Sequence, residues 1–462
     1  MKNQSILEKN CLPLLASVAI ILVASTAHAA DWPVWGGDGS RNMVSFEKVV
    51  TLDFDPGRMS EDEVVDMKTT KNIKWVAKLG SQAYGNVTVA DGRVYAGTNN
   101  ESPRDPAKKG DRGIVMCLDE KTGKLNWQFV IPKLGAGKVS DWEYIGVCSS
   151  PAIEGNRAYV VTNKCEVVCL DVEGFKNGND GPFKDEAKYV KPKGGKDPLN
   201  EKIDADIIWK YDMRDELGVF PHNVTSSSAI IIGDLVICAT SNGVDWSHTN
   251  IPSPLSPCWI ALDKNTGELV GEDGSGAGKN ALHAAWSSLT YGKAGDKDVL
   301  IWGGTDGFCY GYPSKPVKDE EGFDIFKPLW QVDCNEPHYR VDKKGKKVPY
   351  ATPPGPSELI GTPVLYEGKV YGAIGQDPEH GDGVGEYKGI ARRCPTKGRL
   401  VRERLQSSAQ SVLGEGAALA FESSREGGFN QIQEILWCRL NHVHAPPVGP
   451  ERDTLSVFER RA

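Results

Sequence analysis

One pattern constrains this chain more than any other: a unit of short alternating apolar segments that occurs five times. The clearest copy covers residues 86–90, 93–98, 113–119 and 124–130, each of strand length. Asp91-Gly92 joins the first two as a tight hairpin signal, and Glu120-Lys121-Thr122-Gly123 is a turn ending on glycine. The same order recurs at 150–153, 158–162, 166–171 and 207–211, and at 228–232, 235–240 and 259–263. It recurs again at 288–290, 299–302, 307–310 and 329–332, and begins once more at 362–365 and 369–372. Repeated four-stranded antiparallel units without a helical period between them predict an all-β β-propeller, with a two-layer sandwich as the competing architecture. Each copy opens on two small residues: Gly85-Asn86, Ser149-Ser150, Ser227-Ser228, Ser287-Ser288 and Gly361-Thr362. Innermost strands of a propeller converge on an axis where large side chains would collide, so the small pairs favour the propeller.

With 51 Gly and 28 Pro in 462 residues, the composition suits many short elements joined by turns. A formal charge of −8 argues against a phosphate backbone, so no nucleic-acid partner is expected. Lys2 and Lys9, an apolar run over residues 12–24 and the small-residue sequence Ala27-His28-Ala29 read as a signal peptide over residues 1–29. The expected product is a periplasmic or secreted protein with no transmembrane segment in the mature chain.

The segment from Cys117 to Trp127 resembles the tryptophan-docking repeat of the pyrroloquinoline-quinone (PQQ) propellers, Ala-x-Asp-x-x-x-Gly-x-x-x-Trp. Asp119, Gly123 and Trp127 match, and Cys117 takes the Ala place. Ala261, Asp263 and Gly267 match again, with Gly271 where the Trp should be. The resemblance covers residues 32–375, and the opening Asp31-Trp32-Pro33-Val34-Trp35-Gly36-Gly37 is similar to the start of secreted members. It implies a domain over residues 30–385 and a ring of seven or eight blades, four to five of them legible here. It also implies that Trp75, Trp209 and Trp330 dock between adjacent blades.

Such a family holds quinoprotein dehydrogenases, which oxidise alcohols or sugars with PQQ and calcium, and non-catalytic scaffolds such as the propeller lipoprotein of outer-membrane protein assembly. Its enzymes set two adjacent cysteines against the quinone, whereas none of the 11 cysteines here has a cysteine neighbour. The resulting expectation is a binding or assembly scaffold for a protein partner or envelope component, with no catalytic residue and no cofactor. A PQQ- and calcium-dependent dehydrogenase is the alternative, and a polysaccharide-binding accessory protein the third reading.

Polar and aromatic residues just ahead of the innermost strands form the candidate ligand-binding set at the channel mouth: Gln82, Tyr84, Glu143, Tyr144, His222, Asn223, His283, Trp286 and Glu358. Cys117, Cys169 and Cys309 share one third-strand slot and read as core, with one or two disulfides open among the remaining cysteines. Cys165 and Cys169 read as two side chains on the same side of one strand, too little for a metal site, and none is expected. Insertions at 173–202 and 313–356 read as solvated loops, or alternatively as a protein-docking surface.

Composition changes after Gly385: residues 386–462 use 2 Lys and 10 Arg, against 34 Lys and 8 Arg before them. They read as an atypical tail, out-of-frame in origin or a basic appendage, with short helices at 402–405 and 431–437. On that reading the last sheet edge has no partner.

Overall fold

The computed structural model describes residues 30–47, 53–191, 199–350 and 355–374, together with the backbone of strands at Lys388–Arg393, Glu403–Arg404, Leu419–Ala420 and Glu434–Trp437. The expected signal peptide lies outside the described residues. Helices among them are short; Met213–Leu217, five residues, is the longest.

Alternation of apolar residues folds into the repeated sheets. The first has strands Thr88–Ala90, Arg93–Asn99, Arg112–Asp119 and Leu125–Pro132 in sequence order, all antiparallel. The second has Ala152–Glu154, Arg157–Val161, Glu166–Asp171 and Ile207–Asp212. The third is built on Ile230–Ile232, Leu235–Ala239, Trp259–Asp263 and Leu269–Asp273. The fourth takes Thr290–Ala294, Lys297–Gly303, Phe308–Tyr312 and Trp330–Asp333, and the fifth Val364–Tyr366, Lys369–Ile374, Lys388–Arg393 and Glu403–Arg404.

The small pairs do more than avoid collision. The Ser150 N–H donates to Ser228 Oγ at 2.9 Å, the Ser228 N–H to Ser288 Oγ at 2.9 Å, and the Ser288 N–H to Thr362 Oγ1 at 3.1 Å. A belt of hydroxyls thus joins the first strands of four consecutive sheets, which makes those strands the inner ones and the sheets blades. At Gly85 a Cβ would lie 2.8 Å from the Ser149 carbonyl oxygen, so the first pair needs glycine for space.

Indoles pin the outer edges. In the docking slot Cys117 faces Trp127 and Cys169 faces Trp209 across the last two strands. Trp127 Nε1 donates to the Val172 carbonyl at 2.8 Å, and Trp209 Nε1 to that of Lys264 at 3.1 Å. Trp75 Nε1 donates to the Glu120 carbonyl at 2.9 Å. The turn glycines under two of these rings, Gly123 beneath Trp75 and Gly267 beneath Trp209, have φ of +70° and +77°, and a Cβ at either would lie 2.5 Å from the indole. Both the conformation and the space demand glycine.

Trp330 does not follow the expected pattern. The fourth-blade slot pairs Cys309 with Val332, which sets Trp330 opposite Gly311 of its own blade, where a Cβ would be 2.1 Å from the ring. The third-blade slot pairs Ala261 with Gly271, so the indole is missing there. Part of the 313–356 insertion supplies a substitute, contrary to its reading as a solvated loop. Strands Val317–Lys318 and Asp324–Phe326 extend the third sheet, and Asp324–Phe326 runs parallel to Leu269–Asp273. Phe326 is fully buried over Gly271, with its ring centroid 4.9 Å from that of Trp259. The 173–202 insertion also packs in part: Tyr189 stacks on Phe129 at 5.5 Å, and its hydroxyl donates to Glu166 at 2.6 Å.

Two further expectations change. Cys165 lies in the turn before its strand at φ +63°, not on the strand with Cys169, and its thiol reaches the Thr240 carbonyl. The tail segments read as helices are strands where they are described. Glu403–Arg404 pairs with Lys388–Arg393, and Glu434–Trp437 runs antiparallel to Trp75–Lys78 with Trp437 opposite Trp75. The β-prone run Ile435-Leu436-Trp437 covers an edge whose backbone groups would otherwise lack partners. Cys117, Cys169 and Cys309 are all three buried, as core residues are.

The segment from Trp32 to Arg41 straps the inner strands together. It exchanges two hydrogen bonds with Val89 of the first blade and accepts from Ile153 of the second, Tyr291 of the fourth and Leu365 of the fifth. The wholly buried Arg41 guanidinium donates to the carbonyls of Ser228 and Ala229 at the third blade, Leu289 at the fourth, and Trp35. Strap contacts follow the small pairs along the chain, whereas the candidate site residues precede them. On extended strands these positions lie on opposite sides of the hydroxyl belt, so the strap spans one side and the candidate site lies on the other.

Candidate functional site

Third-blade loop geometry brings the site together. Residues 241–244 run between residues 220–222 and 283–285, with the Gly243 N–H donating to Phe220, the Val244 N–H to His283 and the Ala285 N–H to Asn242. Gly243 makes this possible, because a Cβ there would lie 2.3 Å from the His283 carbonyl oxygen. The segment therefore holds His222 and His283 on its two flanks. Beyond it, Asp245 accepts from the Ser247 hydroxyl and from Asn250 Nδ2 at 2.9 Å, and these bonds hold its carboxyl below the usual range. That turn returns His248, at φ +56°, over the other two imidazoles.

The three rings form a triangle with centroid distances of 4.5 Å (His222–His283), 4.9 Å (His222–His248) and 5.0 Å (His248–His283). One nitrogen from each lies within 4.8 Å of the others. His222 and His283 are wholly buried and His248 partly so. His222 Nδ1 is 2.7 Å from the Val244 carbonyl oxygen. A carbonyl only accepts, so Nδ1 carries the proton and the lone pair sits on Nε2. His283 Nδ1 meets the Tyr350 hydroxyl at 2.9 Å and Glu358 Oε1 at 3.5 Å. Trp286 packs 4.6 Å from His283 and anchors its indole N–H on the Val224 carbonyl at 3.0 Å.

Of the residues singled out in the sequence, His222, His283, Trp286 and Glu358 thus meet in one group, with Asn223 buried beside His222 at φ +56°. The others are fixed by the first two blades. The Gln82 carbonyl accepts from Thr98 at 2.7 Å, the Tyr144 N–H donates to Asp111 at 2.8 Å, and the Tyr144 carbonyl accepts from Asn99. Tyr84 and Tyr144 are about half exposed, and Glu143 is exposed. His248, Trp246 and Tyr350 escaped the sequence reading because they lie in loops outside the repeat register. The spacing Trp246-x-His248 in a chain with only 8 histidines was the available signal.

His222, His248 and His283 are the residues here that could hold a metal ion. Their nitrogen donors, with Glu358 as the neighbouring carboxylate, do not fit calcium, which takes six to eight oxygen ligands. The calcium-quinone pair is therefore not matched by this donor set.

Residues 49–174 match a PQQ-repeat family described as outer membrane protein assembly factor BamB. No curated protein matches the chain. Among solved structures the chain is similar to the quinohemoprotein alcohol dehydrogenase ADHIIG of Pseudomonas putida HK5, with 12% identity over 78% of this chain and 46% of that one, TM-score 0.42. It is also similar to BamB from Moraxella catarrhalis, with 12% identity over 71% and 65% and TM-score 0.35. A third is the quinohemoprotein alcohol dehydrogenase of Comamonas testosteroni, with 13% identity over 76% and 59% and TM-score 0.37. The chain spans less than two thirds of the length of each. Among the described residues no helix is long and apolar enough to cross a membrane. With its docking slots and its belt of small residues the repeat region is built of β-propeller blades, and residues 49–174 of it match the PQQ-repeat family model.

Proposed function

We propose that this chain is an exported PQQ-repeat propeller that works as a non-catalytic scaffold and docks a protein partner of the cell envelope on its channel mouth. The observation that carries this reading is three half-exposed aromatics in the loops that carry the candidate set: Tyr84 at 53%, Tyr144 at 49% and Trp246 at 50%. Trp246 packs edge-on against Trp142 at 6.3 Å, and Lys138 covers the Trp142 ring at 4.8 Å. Aromatic side chains with a polar handle are the residues that most often anchor protein partners. The dehydrogenase alternative has the family's enzymes in its favour, and the calcium-poor donor set at the mouth against it.

Two measurements test the proposal. A partner crosslinked to the chain in the envelope, identified and purified, should bind the wild type and lose about tenfold or more of its affinity to Trp246→Ala or Tyr144→Ala. Adding PQQ and calcium to the purified chain should give no dye reduction with alcohols or sugars. Quinone-dependent dye reduction, or partner binding indifferent to both variants, would overturn the scaffold reading.

A further inference from the structure

We propose that His222, His248 and His283 bind one divalent transition-metal ion of the imidazole-preferring class, zinc or copper, at the channel mouth. This goes beyond the scaffold reading and does not depend on it. Three imidazoles from three separate segments converge with one nitrogen each inside a 4.8 Å limit. A tetrahedral ion about 2.0–2.1 Å from each nitrogen sets the donors roughly 3.4 Å apart, which small ring rotations can reach. Two of the three rings already have the outer contacts that metal-binding histidines use. The Val244 carbonyl fixes the His222 tautomer so that Nε2 has the lone pair, and Tyr350 with Glu358 engages His283 Nδ1.

Backbone conformation supplies an independent sign. His248 and Asn223, the neighbour of His222, both sit at φ +56°, which non-glycine residues seldom adopt and which clusters at functional sites. The surroundings add selectivity. Imidazole donors suit zinc, copper and nickel, whereas calcium and magnesium require oxygens. His222 and His283 are wholly buried, while His248 is partly exposed, so a fourth ligand can enter past it. Three protein ligands and one exchangeable position are what a zinc or copper centre needs to bind a small molecule or a side chain of a partner.

The full purified chain, stripped with a chelator, is titrated with Zn²⁺ by calorimetry and with Co²⁺ by its visible absorption. One ion per chain is expected, and zinc should raise the melting temperature. His248→Gln and, separately, His283→Gln should each weaken binding by about tenfold or more and abolish the thermal shift. The partly exposed position of His248 keeps its variant foldable, and circular dichroism checks this. Absence of saturable binding, zinc affinity unchanged in both variants, or calcium competing as well as zinc would overturn the assignment.

Discussion

Phe326→Ala tests most sharply how the third blade holds its neighbour. Where the repeat should supply an indole it has Gly271, and the Phe326 ring lies where a Cβ on Gly271 would come within 2.9 Å of it. The phenyl is fully buried against Trp259 at 4.9 Å and is delivered by a strand paired in parallel with Leu269–Asp273. Truncating a buried Phe to Ala costs about 3–5 kcal/mol through lost burial and the cavity left behind, and an aromatic pair adds about 0.5–1.5 kcal/mol. A loss of about 3.5–6.5 kcal/mol in urea unfolding is expected, with an unchanged denaturant slope. Phe323, in the same insertion but 61% exposed, is the control and should lose less than about 0.5 kcal/mol as alanine. If Phe326→Ala cost no more than Phe323→Ala, the hairpin would be a solvated loop after all and Phe326 no substitute for the indole.

Other perturbations probe the same frame. Gly267→Ala forces a side chain into φ +77° and into the Trp209 indole 2.5 Å away, so it should cost more than about 2 kcal/mol; Gly233→Ala, at φ +58° with open space around it, should cost about half that in the same urea assay. Ser228→Ala removes the acceptor of the buried Ser150 N–H and should lower stability by about 1–3 kcal/mol. Burial pushes the Asp306 carboxyl up to about 6, although the Tyr310 hydroxyl donates to it at 2.6 Å and Arg340 lies close by. The folded chain therefore holds a proton that the unfolded chain releases near 3.8, so stability should fall as pH rises from about 4 to 6 and then level off. Asp306→Asn should reduce that slope, leaving the part due to Asp206, which burial also pushes up to about 6; a variant with an unchanged slope would show that Asp306 does not contribute.

How much could be read in advance follows from where register exists. The blades were legible because short apolar runs of strand length return between turn signals, buried on both faces as in Arg112–Asp119 and Glu166–Asp171, and each inner strand starts on a small pair, a steric demand that repeats. His222, His283, Trp286 and Glu358 could be picked out because they precede those pairs, a position the repeat itself defines. His248 and Tyr350 come from the 241–257 loop and the 313–356 insertion, which follow no period; the hydrogen bonds of Asp245 with Ser247 and Asn250, and those of Tyr350 with His283 and Glu358, are among the contacts that bring them to the site. Trp330 departs from the docking slot, standing two residues from the position that faces Cys309, yet it packs against the cluster shared by the fourth and fifth blades, a register difference that nothing local in the sequence marks. The strap was visible as a motif but its role was not, since nothing local tells Arg41 that its carbonyl partners lie some 190 to 250 residues further on.

Hydrogen exchange at three amides tests most directly whether the sheets are blades tied around one axis. The N–H groups of Ile153, Tyr291 and Leu365, on three different sheets, donate to Pro33, Gly39 and Ser40 of the strap. If the strap closes the ring, the three should share one level of protection, and Arg41→Gln should speed all three by a similar factor while amides within single sheets, such as Val168 and Ile260, stay slow. Rapid exchange at these amides in the wild type, or acceleration confined to Tyr291, would mean that the sheets are not held by a common strap.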